Sequence, residues 1–200
     1  MPDKSLQADA ANLAEILSDK TEFKSPVHAQ AADALKRFAG ACDALATKAK
    51  ATTGSSLDLE ELISDAYDTA KKERNARASE LKAAWDGLIG FLAAARRLAE
   101  GDVPAGFAPA GEAVQKVLDK IEFKDQKQID ELRKKAKAYY PKESALVKEA
   151  EAWSVRAAQV AKAVKAAADA LDPEDSVAKV HIAFLKRYAA RVVEAAKILR

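Results

Sequence analysis

The chain has 200 residues, with 33 basic and 31 acidic side chains, a net charge of +2, two histidines and a single cysteine. Charge so nearly balanced gives no global field to draw the protein to nucleic acid or an anionic membrane, so any electrostatic function must be local. Cys42 has no partner for an internal disulfide, and the longest apolar run, within Gly87 to Ala95, is about half the length a bilayer span needs. With no apolar leader after Met1-Pro2-Asp3-Lys4, the expected location is the reducing cytoplasm. Alanine fills nearly a quarter of the positions. It is the strongest helix former, and its small side chain lets helix axes approach closely.

The elements follow in chain order. Leu6, Ala10, Leu13 and Leu17 predict a first helix over about 4–19. Ser25-Pro26 is a start signal, a capping hydroxyl followed by proline in the first turn, and opens a helix to about residue 50 with a seam at Ala31, Leu35, Phe38, Cys42, Leu45 and Ala49. Thr52 to Ser56 is a turn. Asp58, Glu60 and Glu61 then load the first turn of a third helix. A continuous helix from 57 to 100, its seam carried through Ala70, Arg74, Ala78 and Leu81 by a stutter and then along Trp85, Leu88, Leu92, Ala95 and Ala99, is favoured over a break or an overhang in the polar segment Lys71 to Arg77.

Residues 101–111 are the one long Gly/Pro-rich stretch and mark a connector between a half at 1–100 and a half at 112–200. A helix at 110–121 precedes Asp125, which with Gln128 has capping-box form and opens a helix at 126–139. The sixth helix, 142–171, carries a coiled-coil seam at Leu146, Ala150, Trp153, Ala157, Val160, Val164, Ala167 and Leu171. Asp172 to Asp175 combine a cap, a first-turn proline and two favourable charges ahead of a helix at 174–199. Short connections join 25–50 to 57–100 and 142–171 to 174–199, which predicts antiparallel hairpins. The hexapeptides Asp19 to Lys24 and Asp119 to Lys124 agree at five of six positions, one hundred residues apart, each before a cap. The echo points to two related halves in which Phe23 and Phe123 plug equivalent corners. The expected fold is an elongated, alanine-rich, all-α bundle of seven helices with coiled-coil-like hairpins.

No recognisable catalytic or cofactor motif accompanies these helices. There is no zinc-type Cys/His spacing, no phosphate-binding Gly-rich loop, no nucleophile elbow and no Glu-x-x-His pair for a di-metal bundle. No cofactor, metal or catalytic residue is therefore assigned. His181 falls on the apolar face of Val177, Phe184, Leu185, Tyr188 and Val192 and is expected in the core. His28, beside a helix N-terminus, is expected at the surface. The acidic residues around Glu61 and Asp65 are read as helix-dipole partners rather than cation ligands.

The most basic stretch, Arg133, Lys134, Lys135, Lys137 and Lys142 beside Tyr139 and Tyr140, has the composition of a polyanion site. Asp130 and Glu131, one turn before Lys134 and Lys135, also allow these cations to act as intrahelical partners. Long seams without recognisable chemistry favour a non-enzymatic interaction or scaffold protein that binds another protein or another copy through exposed helical faces. An accessory nucleic-acid or phosphate-binding module is the alternative. A further one is a membrane-surface bundle using Lys186, Arg187 and Arg191 of the last helix.

Overall fold

The computed structural model describes residues 6–54, 56–103 and 106–199. The expectations for the leader residues Met1 to Lys4, for Ser55 of the turn and for Pro104 and Ala105 of the connector lie outside the described residues. Among the described residues the fold is all-α. Its seven helices are α1 (Leu6–Leu17), α2 (Pro26–Thr53), α3 (Leu57–Lys72), α4 (Ala78–Ala99), α5 (Gly111–Leu118), α6 (Gln126–Asp169) and α7 (Ser176–Ile198).

Two compact units divide the chain. One comprises residues 1–46, 100–103 and 149–200, the other 47–99 and 104–148. This grouping is spatial and cuts the chain differently from the Gly/Pro segment, since α2 and α6 each contribute residues to both units. In the first unit the core is built on Leu13, Leu17, Leu35, Phe38, Trp153, Val164 and Leu185, all buried. In the second it is built on Ile63, Leu81, Leu88, Leu92, Leu118 and Leu132. Phe23 is buried in the first unit and Phe123 in the second.

Most seam positions are buried, but Cys42, Ala78, Trp85 and Ala99 are half-buried, Arg74 is exposed, and Leu171, also half-buried, lies beyond the end of α6. Every position from Leu146 to Ala167 in the α6 seam is buried, and the alternation of three and four steps continues backwards through Glu143, Tyr139, Ala136, Leu132 and Ile129. The helices expected at 126–139 and 142–171 are therefore one helix of 44 residues with Pro141 inside it. Proline removes one backbone donor, but on an exposed helix face the freed carbonyl is hydrated, and the seam on the opposite face outweighs the break signal.

The continuous helix expected over 57–100 is, conversely, two helices. Arg74 adopts the left-handed conformation, φ 54°. The Asn75 N–H donates to Ala70 O at 2.8 Å and the Arg74 N–H to Lys71 O at 3.2 Å. This is a Schellman stop, built with arginine where glycine is usual. Asn75 Oδ1 then accepts the Arg77 N–H at 2.9 Å, while its amide donates to Glu122 O at 2.8 Å. One asparagine thus starts the next helix and fixes the corner to a neighbouring loop.

The caps are partly as expected. Ser25 Oγ accepts the Val27 N–H, and Asp125 Oδ1 the Lys127 N–H. Gln128 Oε1 accepts the Thr69 hydroxyl, so its carbonyl oxygen looks away from the expected capping box. The cap of α7 is Asp175, which accepts from Val177 and Ala178, whereas Asp172 closes the preceding turn by accepting the Glu174 N–H.

Candidate functional site

Within the first unit, α1 ends in a tight turn. Asp19 Oδ1 accepts both the backbone N–H and the hydroxyl of Thr21, which holds the exposed Asp19 carboxyl below its ordinary range, and Asp19 O accepts the Phe23 N–H at 2.8 Å. The turn places Phe23 between the chain's two histidines. Its ring meets His28 edge to face at 5.3 Å and His181 at 5.4 Å.

The two imidazoles are placed contrary to expectation. His28 is 3% exposed, and Nε2 lies 3.2 Å from Ala167 O. Near the end of α6, the carbonyl of Ala166 receives the Ala170 N–H and that of Ala168 the Leu171 N–H. His28 thus serves the intervening Ala167 carbonyl, one of the last four of its helix. Its Nδ1 is buried without a hydrogen-bond partner among the described residues. His181 is only half-buried, because α7 turns the flank bearing Val177, Val180 and Phe184 outward, at 58%, 68% and 43% exposure.

Phe23 and His181 form a ridge between two clefts. One, about 500 Å³, is bordered by His28, Asp172, Asp175 and Val177, and the other, about 600 Å³, by Asn12, Glu15, Ile16 and Asp19. Asp175 is committed to its cap and Asp19 to its turn. Among the described residues no group of three or more His, Cys, Asp or Glu is placed to hold a metal ion. This corner presents an aromatic ridge, an apolar helix flank and scattered carboxylates.

In the second unit, Glu143 is buried on the α6 seam. The N-cap position of α5 is Ala110, which has no side chain to accept a hydrogen bond. Glu143 Oε1 supplies the acceptor, taking the Ala110 N–H at 2.9 Å and the Gly111 N–H at 2.6 Å. Burial raises the carboxyl's pKa, and the two amides pull it part of the way back. Glu143 Oε2 and the nearby Tyr139 hydroxyl lack hydrogen-bond partners among the described residues. The Tyr139 phenol is pushed upward first by burial and then by the Glu143 charge. The sequence carried a signal for this site, a glutamate in register between Tyr139 and Leu146 on an apolar seam, and the gap between the helices expected at 126–139 and 142–171 concealed it.

The basic stretch divides. Arg133 Nε donates to Leu118 O at 2.9 Å and its Nη2 to Ile121 O at 3.1 Å, satisfying carbonyls at and just beyond the end of α5. Lys135 pairs with Asp58 at 2.7 Å, which raises the lysine and lowers the aspartate. Lys134, Lys137 and Lys142 are exposed, Tyr140 is partly exposed, and Tyr139 is buried. Glu60, from the acidic cluster, is paired with Arg96 at 2.6 Å. Trp153, the expected anchor, is fully buried against Phe38, and its indole N–H donates to Cys42 Sγ at 3.3 Å.

Compared with known protein families, curated proteins and solved structures, the chain matches none of them. No helix of the described residues is long and apolar enough to cross a membrane. An all-α helical protein is the class that the fold defines.

Proposed function

We propose that the chain is a non-enzymatic, cytoplasmic interaction module that docks another protein through the start of α7. One observation carries this: Val177, Val180 and Phe184 are exposed together on one flank of α7 beside the Phe23–His181 ridge. Their side chains follow the i, i+3, i+7 spacing of a helix face, so they form one apolar row. A contiguous apolar row beside concave clefts is what an interface core requires, whereas single exposed apolar residues are ordinary. Asp19, Asp172 and Asp175 nearby are engaged in a cap and turns.

The test is a photo-crosslinking amino acid at Val180, with one at Lys116 as a control on an exposed site, used alongside light scattering over a range of concentrations. Crosslinks specific to Val180, lost on Val177→Glu/Phe184→Glu, support docking there. A concentration-independent monomer that gives no crosslink at Val180 beyond the Lys116 background overturns it.

A further inference from the structure

On a different side of α7, a groove of about 660 Å³ runs between that helix and the last turns of α6. Its apolar lining is small: Ala161 and Ala189 are buried at its base, and Ala158, Ala190 and Val193 are exposed along it. At 3.6 residues per turn, Val193 lies about 140° around the helix from Val180, so this surface is separate from the one proposed above. Both helices also contribute lysines to the lining. Lys162 and Lys165 stand on α6, Lys186 and Lys197 on α7, with Glu194 the one acidic residue along the groove. Lys186 is tied to Asp169 at 3.7 Å and Lys197 to Glu194 at 3.1 Å, both as exposed pairs, which hold little free energy and exchange readily. Lys162 and Lys165 have no ion-pair partner among the described residues.

We infer that this groove binds an amphipathic helix of a partner protein, apolar on the face laid against the alanines and acidic along its edges. The small apolar lining permits a third helix axis at the close end of the 8–10 Å packing range. On each helix the lining residues recur at three and four steps, so each contributes one continuous stripe. The α7 stripe from Lys186 to Lys197 spans eleven steps, about 16 Å at 1.5 Å per residue, which matches three turns of a bound helix. The partner's charge is set by the lysines: glutamates and aspartates beside Lys162 and Lys165 gain new pairs, and lysines there are repelled.

The test uses two synthetic fluorescein-labelled helices of about 18 residues, with leucine along one face and either glutamate or lysine on the flanks. They are titrated with the full chain by anisotropy, together with the Lys162→Glu/Lys165→Glu variant and vesicles of phosphatidylcholine and phosphatidylserine. The expected result is saturable binding of the glutamate helix that weakens severalfold with added salt, and a variant that prefers the lysine helix. Binding that never saturates, or a preference unchanged by the charge reversal, overturns the inference, as does lysine-dependent binding to the vesicles alone. Peptide binding lost in Val177→Glu/Phe184→Glu but kept in the lysine variant also overturns it while leaving the proposed function standing. Crosslinking from Val180 is independent of every one of these outcomes.

Discussion

The Gly111 N–H donates to Glu143 Oε1 over 2.6 Å, and the closeness of that approach depends on glycine. A Cβ at position 111 would lie 2.8 Å from Tyr140 Cδ2 and 2.9 Å from Glu143 Oε2. Both are side-chain atoms, but Glu143 is buried and held by the two α5 amides, so its carboxylate does not withdraw freely. Gly111→Ala is expected to destabilise the chain by about 1–3 kcal/mol, in the range of overpacked sites, despite alanine's better helix propensity. Urea unfolding checks it; a variant as stable as the parent would show that the carboxylate moves aside at no cost.

Glu143 also gives stability a definite pH dependence. Its folded-state pKa is raised, chiefly by burial, above the ordinary value of 4.5, so the folded form holds this proton more tightly than the unfolded form. The stability that this provides is fully present below the unfolded pKa and is lost as pH rises through the folded one. Glu143→Gln keeps an acceptor oxygen for the two amides and removes the titration. Its melting temperature is expected to change less than the parent's as pH rises above about 4.5. Parallel melting curves for the two proteins from pH 4 to 8 would refute this assignment.

How legible the fold was depended on whether a signal was distributed or local. Burial follows most seam positions, with Leu146 to Ala167 of α6 wholly buried and Cys42, Trp85 and Ala99 only half-buried, because an apolar stripe repeated over many turns is set by packing. The two departures in continuity have opposite causes, since the seam outlasts the gap at 139–142 but not the polar segment at 71–77. The helix expectations end at 139 and resume at 142, on either side of Pro141, although Ile129, Leu132, Ala136 and Tyr139 run in phase with Leu146. Arg74 was read as helical, because its left-handed conformation has no glycine to announce it. The histidines were misplaced for a different reason. His28 is buried by Phe23 and by the end of α6, elements distant in sequence that no local pattern brings together.

Cys42 and Trp153 are coupled through the indole N–H bond to sulfur, in a site whose burial pushes the thiol up to about 11 from 9.0. At pH 8 the thiolate fraction of the folded protein is then about a hundredfold below that of an ordinary thiol, and disulfide-exchange reagents attack the thiolate. Reaction with a colorimetric aromatic disulfide is expected to be slow in buffer and fast in guanidinium. Trp153→Ala, which removes a fully buried ring packed on Phe38, is expected to cost about 3–5 kcal/mol and to speed the reaction. Fast native labelling would contradict the raised pKa of the half-buried Cys42 thiol.

The basic stretch makes two separable predictions from one set of substitutions. Arg133 holds the Leu118 and Ile121 carbonyls, so Arg133→Met is expected to cost about 1–3 kcal/mol by leaving them without a charged donor. Lys134→Gln, Lys137→Gln and Lys142→Gln remove exposed cations and are expected to leave stability within about 0.5 kcal/mol. The triple variant is also the sharpest test of polyanion binding. A parent that binds single-stranded oligonucleotide with a steep salt slope, reduced by about one unit for each lysine removed, would favour that function over protein docking. No change in either property is what the interaction reading expects.

Pro141 offers the most direct test of why α6 continues. Having no N–H, it cannot donate to the Lys137 carbonyl four residues earlier, and its ring crowds that carbonyl, costs of about 3 kcal/mol in an ordinary helix interior. Residues 137 and 141 are both exposed, so water takes part of the lost bond's place while the seam residues Tyr139 and Leu146 hold the two halves in phase. Pro141→Ala restores the donor without touching the core and is expected to raise stability by about 1–3 kcal/mol, read as a shift in the urea midpoint at unchanged slope. The opposite result is equally informative. A loss of stability would mean that proline's local geometry is what brings Glu143, two residues later, onto the α5 amides, and Gly111→Ala would then cost less in the Pro141→Ala background than in the parent.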